Sequence, residues 1–235
     1  MALPKLNSVK YTLTVPSSDE TIEYRPFLVK EQKILMIAQE SESQTTIQKA
    51  IADTITECTF GKVDPWSMPS FDLEYVFINV RGKSIGEELE LSLTCPDDGE
   101  TVVPVKIPLD DIEVSDDKDH NPVIKLTDDV TLYMTYPTMT DISSVQAGLG
   151  DTEQLFSMIK TCIAEIHDGE EIHHKIDITD NDLNEFIDTM STAHLEKINH
   201  FFETMPKLTH TIKVTNPKTK KENEITLSGF DDFFV

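Results

Sequence analysis

The chain opens on an alternating pattern. Val9, Tyr11, Leu13 and Val15 take one side of a strand, and Lys10, Thr12 and Thr14 take the other. Pro16-Ser17-Ser18-Asp19 supplies a turn, and Thr21–Tyr24 reads as the returning strand, ended by Pro26, which has no amide donor. The period then changes. A short helix begins near Val29 and carries Ile34, Leu35, Ile37 and Ala38. A second begins near Ser43, with Ile47, Ile51 and Ile55 at spacing four and Cys58 extending the stripe. Asp64-Pro65-Trp66 and Met68-Pro69 interrupt the pattern. Ser70 is placed to cap a third helix, whose apolar face is Leu73, Val76, Phe77 and Val80.

From Glu87 the period is two. Leu89, Leu91 and Leu93 face Val103, Val105 and Ile107 across the turn Cys95-Pro96-Asp97-Asp98-Gly99. Residues 115–121 form a polar loop, and residues 123–126 and 130–136 read as short strands. A short helix over 139–147 ends at Gly148-Leu149-Gly150. Asp151 caps a stronger helix bearing Leu155, Phe156, Ile159, Cys162, Ile163 and Ile166. Residues 171–176 read as extended. Thr179 with Asp182 resembles a capping box ahead of Leu183, Phe186, Ile187 and Met190. Ser191 or Thr192 caps the next helix, with Leu195, Ile198, Phe201 and Phe202 as its stripe and Pro206 as its stop. A last hairpin sets Leu208, His210, Ile212 and Val214 against Ile225 and Leu227, and His210 is expected there as a satisfied, partly buried histidine. The sum is an α+β fold, antiparallel hairpins flanking helical clusters. A soft boundary divides an α+β region, 1–148, from a helical region closed by a hairpin, 149–235. One continuous domain gives the same pattern.

Charge narrows the partners. The 43 acidic residues against 20 basic ones give a formal charge of -23, a field that repels nucleic acid and anionic membrane. Neither is expected as a direct partner. Lys218, Lys220 and Lys221 form the compact basic run and read as a solvated turn. The acidic surface suits solubility and docking onto basic partner surfaces. Three cysteines at wide spacing suggest no disulfide framework. No run of about 18 apolar residues suggests a membrane span, and residues 1–10 hold no apolar run that would serve as a signal peptide. The expectation is a soluble chain made in the cytoplasm.

Reactive groups do not converge. No G-x-G-x-x-G or Walker pattern occurs, so nucleotide binding has no support. His167, His173 and His174, with Asp168, Glu170 and Glu171 between them, are suitable metal donors, and a metal-dependent enzyme would use them. Their spacing is not that of H-E-x-x-H, and adjacent strand residues such as His173 and His174 point to opposite faces. A polar, exposed hairpin is the favoured reading. Cys95 has Asp98 where a zinc knuckle would need a second cysteine. Asp110, Asp111, Asp128 and Asp129 fall in loops, where solvated acids outweigh a glycosidase pair. No catalytic residue, cofactor or small-molecule substrate is expected. The end of the chain is more informative. Phe230, Phe233, Phe234 and Val235 form an apolar cluster, and burying each large side chain is worth ~1.5–3 kcal/mol. They fold back onto their own domain, or they anchor in a partner's groove.

Several stretches carry a family resemblance. They are Tyr24-Arg25-Pro26-Phe27-Leu28-Val29-Lys30-Glu31, Asp72-Leu73-Glu74-Tyr75-Val76-Phe77, and Arg81-Gly82-Lys83-Ser84-Ile85-Gly86. Phe201-Phe202-Glu203-Thr204-Met205-Pro206-Lys207-Leu208, Val214-Thr215-Asn216-Pro217-Lys218-Thr219-Lys220 and the Phe233-Phe234 ending complete the set. In combination and in order they resemble the baseplate proteins of T-even-like phages. The resemblance implies a place in the virion tail baseplate, assembly in the host cytoplasm, and other baseplate hub proteins as partners. It supplies no catalytic residue. It covers two roles: a hub subunit that stays in the virion, which is the leading reading, and a transient, chaperone-like hub assembly factor that leaves.

Overall fold

The structure, a computed structural model, describes residues 8–41, 43–145 and 150–234, apart from the side chains of Asp110, Asp151, Phe230, Asp231 and Phe234. A hairpin of β1 (Tyr11–Thr14) and β2 (Thr21–Tyr24) leads into α1 (Val29–Glu40), α2 (Gln44–Cys58) and α3 (Ser70–Ile85). The central hairpin follows, β3 (Glu88–Thr94) and β4 (Val102–Pro108), then the short β5 (Glu113–Val114). Next come β6 (Val123–Lys125), β7 (Val130–Met134), α4 (Met139–Ser144), α5 (Asp151–Cys162), β8 (Ile163–Asp168) and β9 (Glu171–His174). The helices α6 (Asp180–Asp188) and α7 (Thr192–Thr204) precede the hairpin of β10 (Leu208–Thr215) and β11 (Glu222–Ser228), and α8 (Gly229–Phe234) closes the order. The fold is α+β, and its described strand pairs are antiparallel.

Two compact units emerge. One runs to Ser115 and resumes at Lys207; the other covers Asp116–Pro206. The first unit is therefore discontinuous in sequence. The cause is a shared core: Leu89, Val105 and Ile107 of the central hairpin bury with Leu208, Val214 and Leu227 of the closing one. Pairing across about half the chain leaves no local trace in composition.

In the first unit α3 is buried on most sides, through Phe71, Leu73, Val76, Phe77, Ile78 and Val80. It starts at Ser70 itself, with Pro69 in the capping position, not Ser70 as expected. Gly82 leaves the space that the Leu109 side chain fills: a β-carbon there would lie 2.6 Å from Leu109 Cδ1. On α2, Ser43 accepts from the Thr46 amide, and the spacing-four stripe buries Ile51, Ile55 and Cys58. α1 departs from expectation. Of Ile34, Leu35, Ile37 and Ala38, only Ala38 is buried, Leu35 is half-buried, and Ile34 and Ile37 are exposed. This helix is docked by its first turn instead. Glu31 Oε2 accepts from the Leu28 amide at 2.8 Å, and Glu31 Oε1 accepts from Arg25 Nη2 at 2.8 Å and Lys30 Nζ at 3.1 Å.

The central and closing hairpins of this unit are tied through their turns. Asp97 Oδ1 accepts from Asn216 Nδ2 at 2.8 Å and Asn223 Nδ2 at 3.1 Å, and the Thr219 hydroxyl donates to Asp97 Oδ2. These bonds, that from Thr219 first, hold the Asp97 carboxyl below its ordinary range. A depressed carboxyl contributes stability above its unfolded pKa and loses it as pH falls through the folded value. Asp97→Ala is therefore expected to lower the thermal midpoint of the first unit at pH 7 and to flatten its acid-side decline. An unchanged midpoint and profile would show that the tie adds no stability.

The second unit is a four-stranded sheet in the order β6-β7-β8-β9, covered by helices. Ile124, Leu132 and Ile166 meet Ile159, Leu183, Ile187, Ile198 and Phe201 in its core. The capping box of α6 forms as its sequence predicts: the Asp182 amide donates to Thr179 Oγ1 at 3.2 Å and the Thr179 hydroxyl to Asp182 Oδ2 at 2.6 Å. Ser191 caps α7, accepting from the His194 amide at 3.3 Å.

Ile163 and Ile166 do not continue α5. The helix stops at Cys162 and both residues lie on β8. Their spacing of three imitates a helical stripe because β8 carries a bulge. Leu132 pairs with Ile166 and Tyr133 with Glu165, but Met134 pairs with Ile163, so Ala164 is the extra residue. The insertion turns both isoleucines to the core.

Candidate functional site

The histidines that the sequence offers as metal donors lie on β8 (His167) and β9 (His173 and His174). β9 pairs with β8 so that His174 lies opposite Glu165, His173 opposite Ile166 and Ile172 opposite His167. Glu165 consequently bridges two imidazoles, His167 Nε2 at 2.8 Å and His174 Nδ1 at 3.0 Å. His173 belongs to the other face. The His167 contact, the larger cause, and His174 hold the Glu165 carboxyl below its usual range. His167 also lies over the Tyr133 ring, with centroids 4.2 Å apart. Among the described residues no three His, Cys, Asp or Glu side chains are placed to hold a metal ion. His210 is partly buried and bonded, its Nδ1 being 2.9 Å from the Asp111 carbonyl oxygen.

A histidine that the periodicity did not single out sits in the second unit. His120 is held between Thr204 Oγ1 (3.1 Å from Nδ1) and the Tyr136 hydroxyl (3.0 Å from Nε2), and its ring stacks on Tyr136. Burial pushes its pKa down, so the neutral ring is favoured. Lone polar loop residues give no sequence signal for such a position.

The cysteines are structural. Cys58, Cys95 and Cys162 are all buried. Burial pushes the Cys58 thiol up to about 11 and the Cys162 thiol up to about 12, and it raises Cys95 with help from Asp97 and Asp98. A raised thiol pKa leaves less thiolate, the reactive form. Thiol titration with an aromatic disulfide reagent at pH 8 should find no fast-reacting group in the native chain and three after unfolding. A fast native thiol would contradict this placement.

At the end of the chain, Phe233 is 0% exposed in the core of the first unit, beside Ile78, Leu89 and Leu227. Of the two sequence readings, burial in its own domain is the one this side chain takes. The side chains of Phe230 and Phe234, and Val235 as a whole, lie outside the described residues. The short α8 is tied back by the Ser228 amide, which donates to Asp232 Oδ2 at 2.7 Å.

Phe233 also lines a groove of about 220 Å³ between α1, α2, α3 and β3. Phe27, Phe77 and Leu89 line its buried part, and Met36 and Ile85 stand at it with 56% and 61% of their surfaces exposed. Arg81 lies in the lining, a residue that sequence pattern alone does not distinguish from its neighbour Lys83. A cavity below the ~300–1,000 Å³ of small-molecule sites fits inserted side chains better than a cofactor.

The family model described as T4 bacteriophage base plate protein matches residues 8–235. The chain belongs to that family. No curated protein and no solved structure matches it. The match spans residues of both units of this baseplate protein. Membership places the chain with the phage tail and makes other phage proteins its setting. Among the described residues of this baseplate protein, no helix is long and apolar enough to cross a membrane.

Proposed function

We propose that this baseplate protein is a structural component of the tail baseplate hub, retained in the virion, and that it works through protein–protein contacts, not by catalysis. The family match over residues 8–235 carries the reading. The chemistry of the side chains supports it. The thiols are buried with raised pKa values, the three candidate histidines are split between two sheet faces, and Glu165 occupies two of them. The charge of -23 favours neighbours with basic surfaces and disfavours direct contact with DNA. Other hub proteins are the partners, met during assembly in the host cytoplasm.

Quantitative mass spectrometry of purified virions tests retention. The expected result is this chain at a fixed ratio to other baseplate proteins. Its absence from particles, with baseplates failing to form in its absence, would replace the subunit with an assembly factor that leaves.

A further inference from the structure

Arg81 is anomalous in this chain. Carboxylates outnumber cations by 43 to 20, yet among the described residues none approaches it. Among the described residues its guanidinium makes no ion pair and no hydrogen bond, and burial alone lowers its pKa. Glu90, the acid in the same groove lining, is taken by Lys106 at 2.6 Å. A half-buried charge without a counter-charge weakens the free protein, because lost hydration is not replaced. Its position is also unusual for surface arginine. Met36 and Ile85 stand exposed in the same groove, and Gln32, Leu35, Met36 and Gln39 recur along one face of α1 to line it. Ile34 and Ile37 extend the exposed apolar surface of that helix. Apolar contact area around one partly desolvated arginine is the composition of an interface anchor point.

We infer that this groove seats an apolar segment of a partner protein that carries an aspartate or glutamate, with the carboxylate paired to Arg81 and a neighbouring apolar side chain inserted beside Met36 and Ile85. The planar guanidinium suits two parallel bonds to a carboxylate. The pairing would supply the counter-charge that this chain withholds. The inference rests on the reading that the protein works through protein contacts, and it adds which surface and which chemistry.

The test uses the full chain during phage infection. A benzophenone amino acid is placed at position 36, at position 85 or, as a reference on an exposed strand of the same unit, at position 102. Adducts from 36 and 85 should map to an apolar stretch with an Asp or Glu within one helical turn. Arg81→Met should cut their yield by ~10-fold or more, the size of a charge-assisted pair. The thermal midpoint of the purified Arg81→Met chain should equal or exceed that of the unaltered chain, since an uncompensated charge is gone. A lower midpoint would make Arg81 a structural residue and overturn the inference. Undiminished yield, an adduct with a second copy of this chain, or a mapped segment without an acid would overturn it as well. Adducts from position 102 alone would remove the groove and leave the protein-contact reading standing. No adduct from any position would count against both.

Discussion

Replacing Phe233 with alanine is expected to cost ~3–5 kcal/mol of unfolding free energy, the usual loss for a phenylalanine cut from a packed core. Phe233 has no exposed surface and belongs to a core built from the central and closing hairpins and α3. The cavity left behind would lie where Leu89, Ile107, Leu208 and Leu227 converge. Such a loss is a large share of the ~5–15 kcal/mol that holds a typical domain. The chain has one tryptophan, Trp66, in the first unit, so its fluorescence during urea unfolding follows that unit alone. The midpoint should fall with little change in slope. Removing residues 230–235 should cost at least as much. An unmoved midpoint in both variants would mean that the tail contributes no core packing and is free for a partner.

The second large effect is expected at Glu31. Arg25 and Glu31 are 7% and 2% exposed and share a 2.8 Å bond. Burial alone would raise the Glu31 pKa, but the bonds from Arg25, the Leu28 amide and Lys30 outweigh it and leave the carboxyl below its ordinary value. Glu31→Ala strands the guanidinium and uncaps the Leu28 amide, so a loss of ~3–5 kcal/mol is expected, as for other broken buried pairs. Arg25→Met combined with Glu31→Leu should recover most of it, because removing both charges removes the desolvation cost as well. The pH dependence has a fixed sign. The stabilisation from Glu31 is present above the unfolded carboxylate pKa and lost as pH falls through the lower folded value. The single variant should therefore lose less stability than the unaltered chain on acidification. Equal stability of Glu31→Ala and the unaltered chain at pH 7 would refute the assignment.

The hairpins were legible because alternation maps directly onto burial. Leu89 pairs with Ile107 and Leu91 with Val105, as their period of two implies. The α6 cap was legible because Thr179 and Asp182 act within one turn. Two features misled for physical reasons. The β8 bulge at Ala164 gives a strand the spacing of a helix. On α1, apolar residues face water, because the helix is fixed through Glu31 and Ala38 and its outer side is left uncovered. The division into units depended on contacts such as Asp97 with Asn216 and Asn223, more than one hundred positions apart. Arg81 could not be found by pattern either. What sets it apart is the lack of a nearby carboxylate among the described residues, and that is a property of folded geometry. The anchor reading of the chain end and the groove beside Phe233 meet in one place, since the buried phenylalanine helps to form the lining.

The claim that this baseplate protein works by occupying a site among other tail proteins is tested most directly by purifying it, tagged, from infected cells and weighing the intact assemblies by native mass spectrometry. The account predicts discrete complexes in which this chain and other baseplate proteins occur in small whole-number ratios. Recovery of the chain only as a free monomer, throughout infection and at low salt, would contradict it.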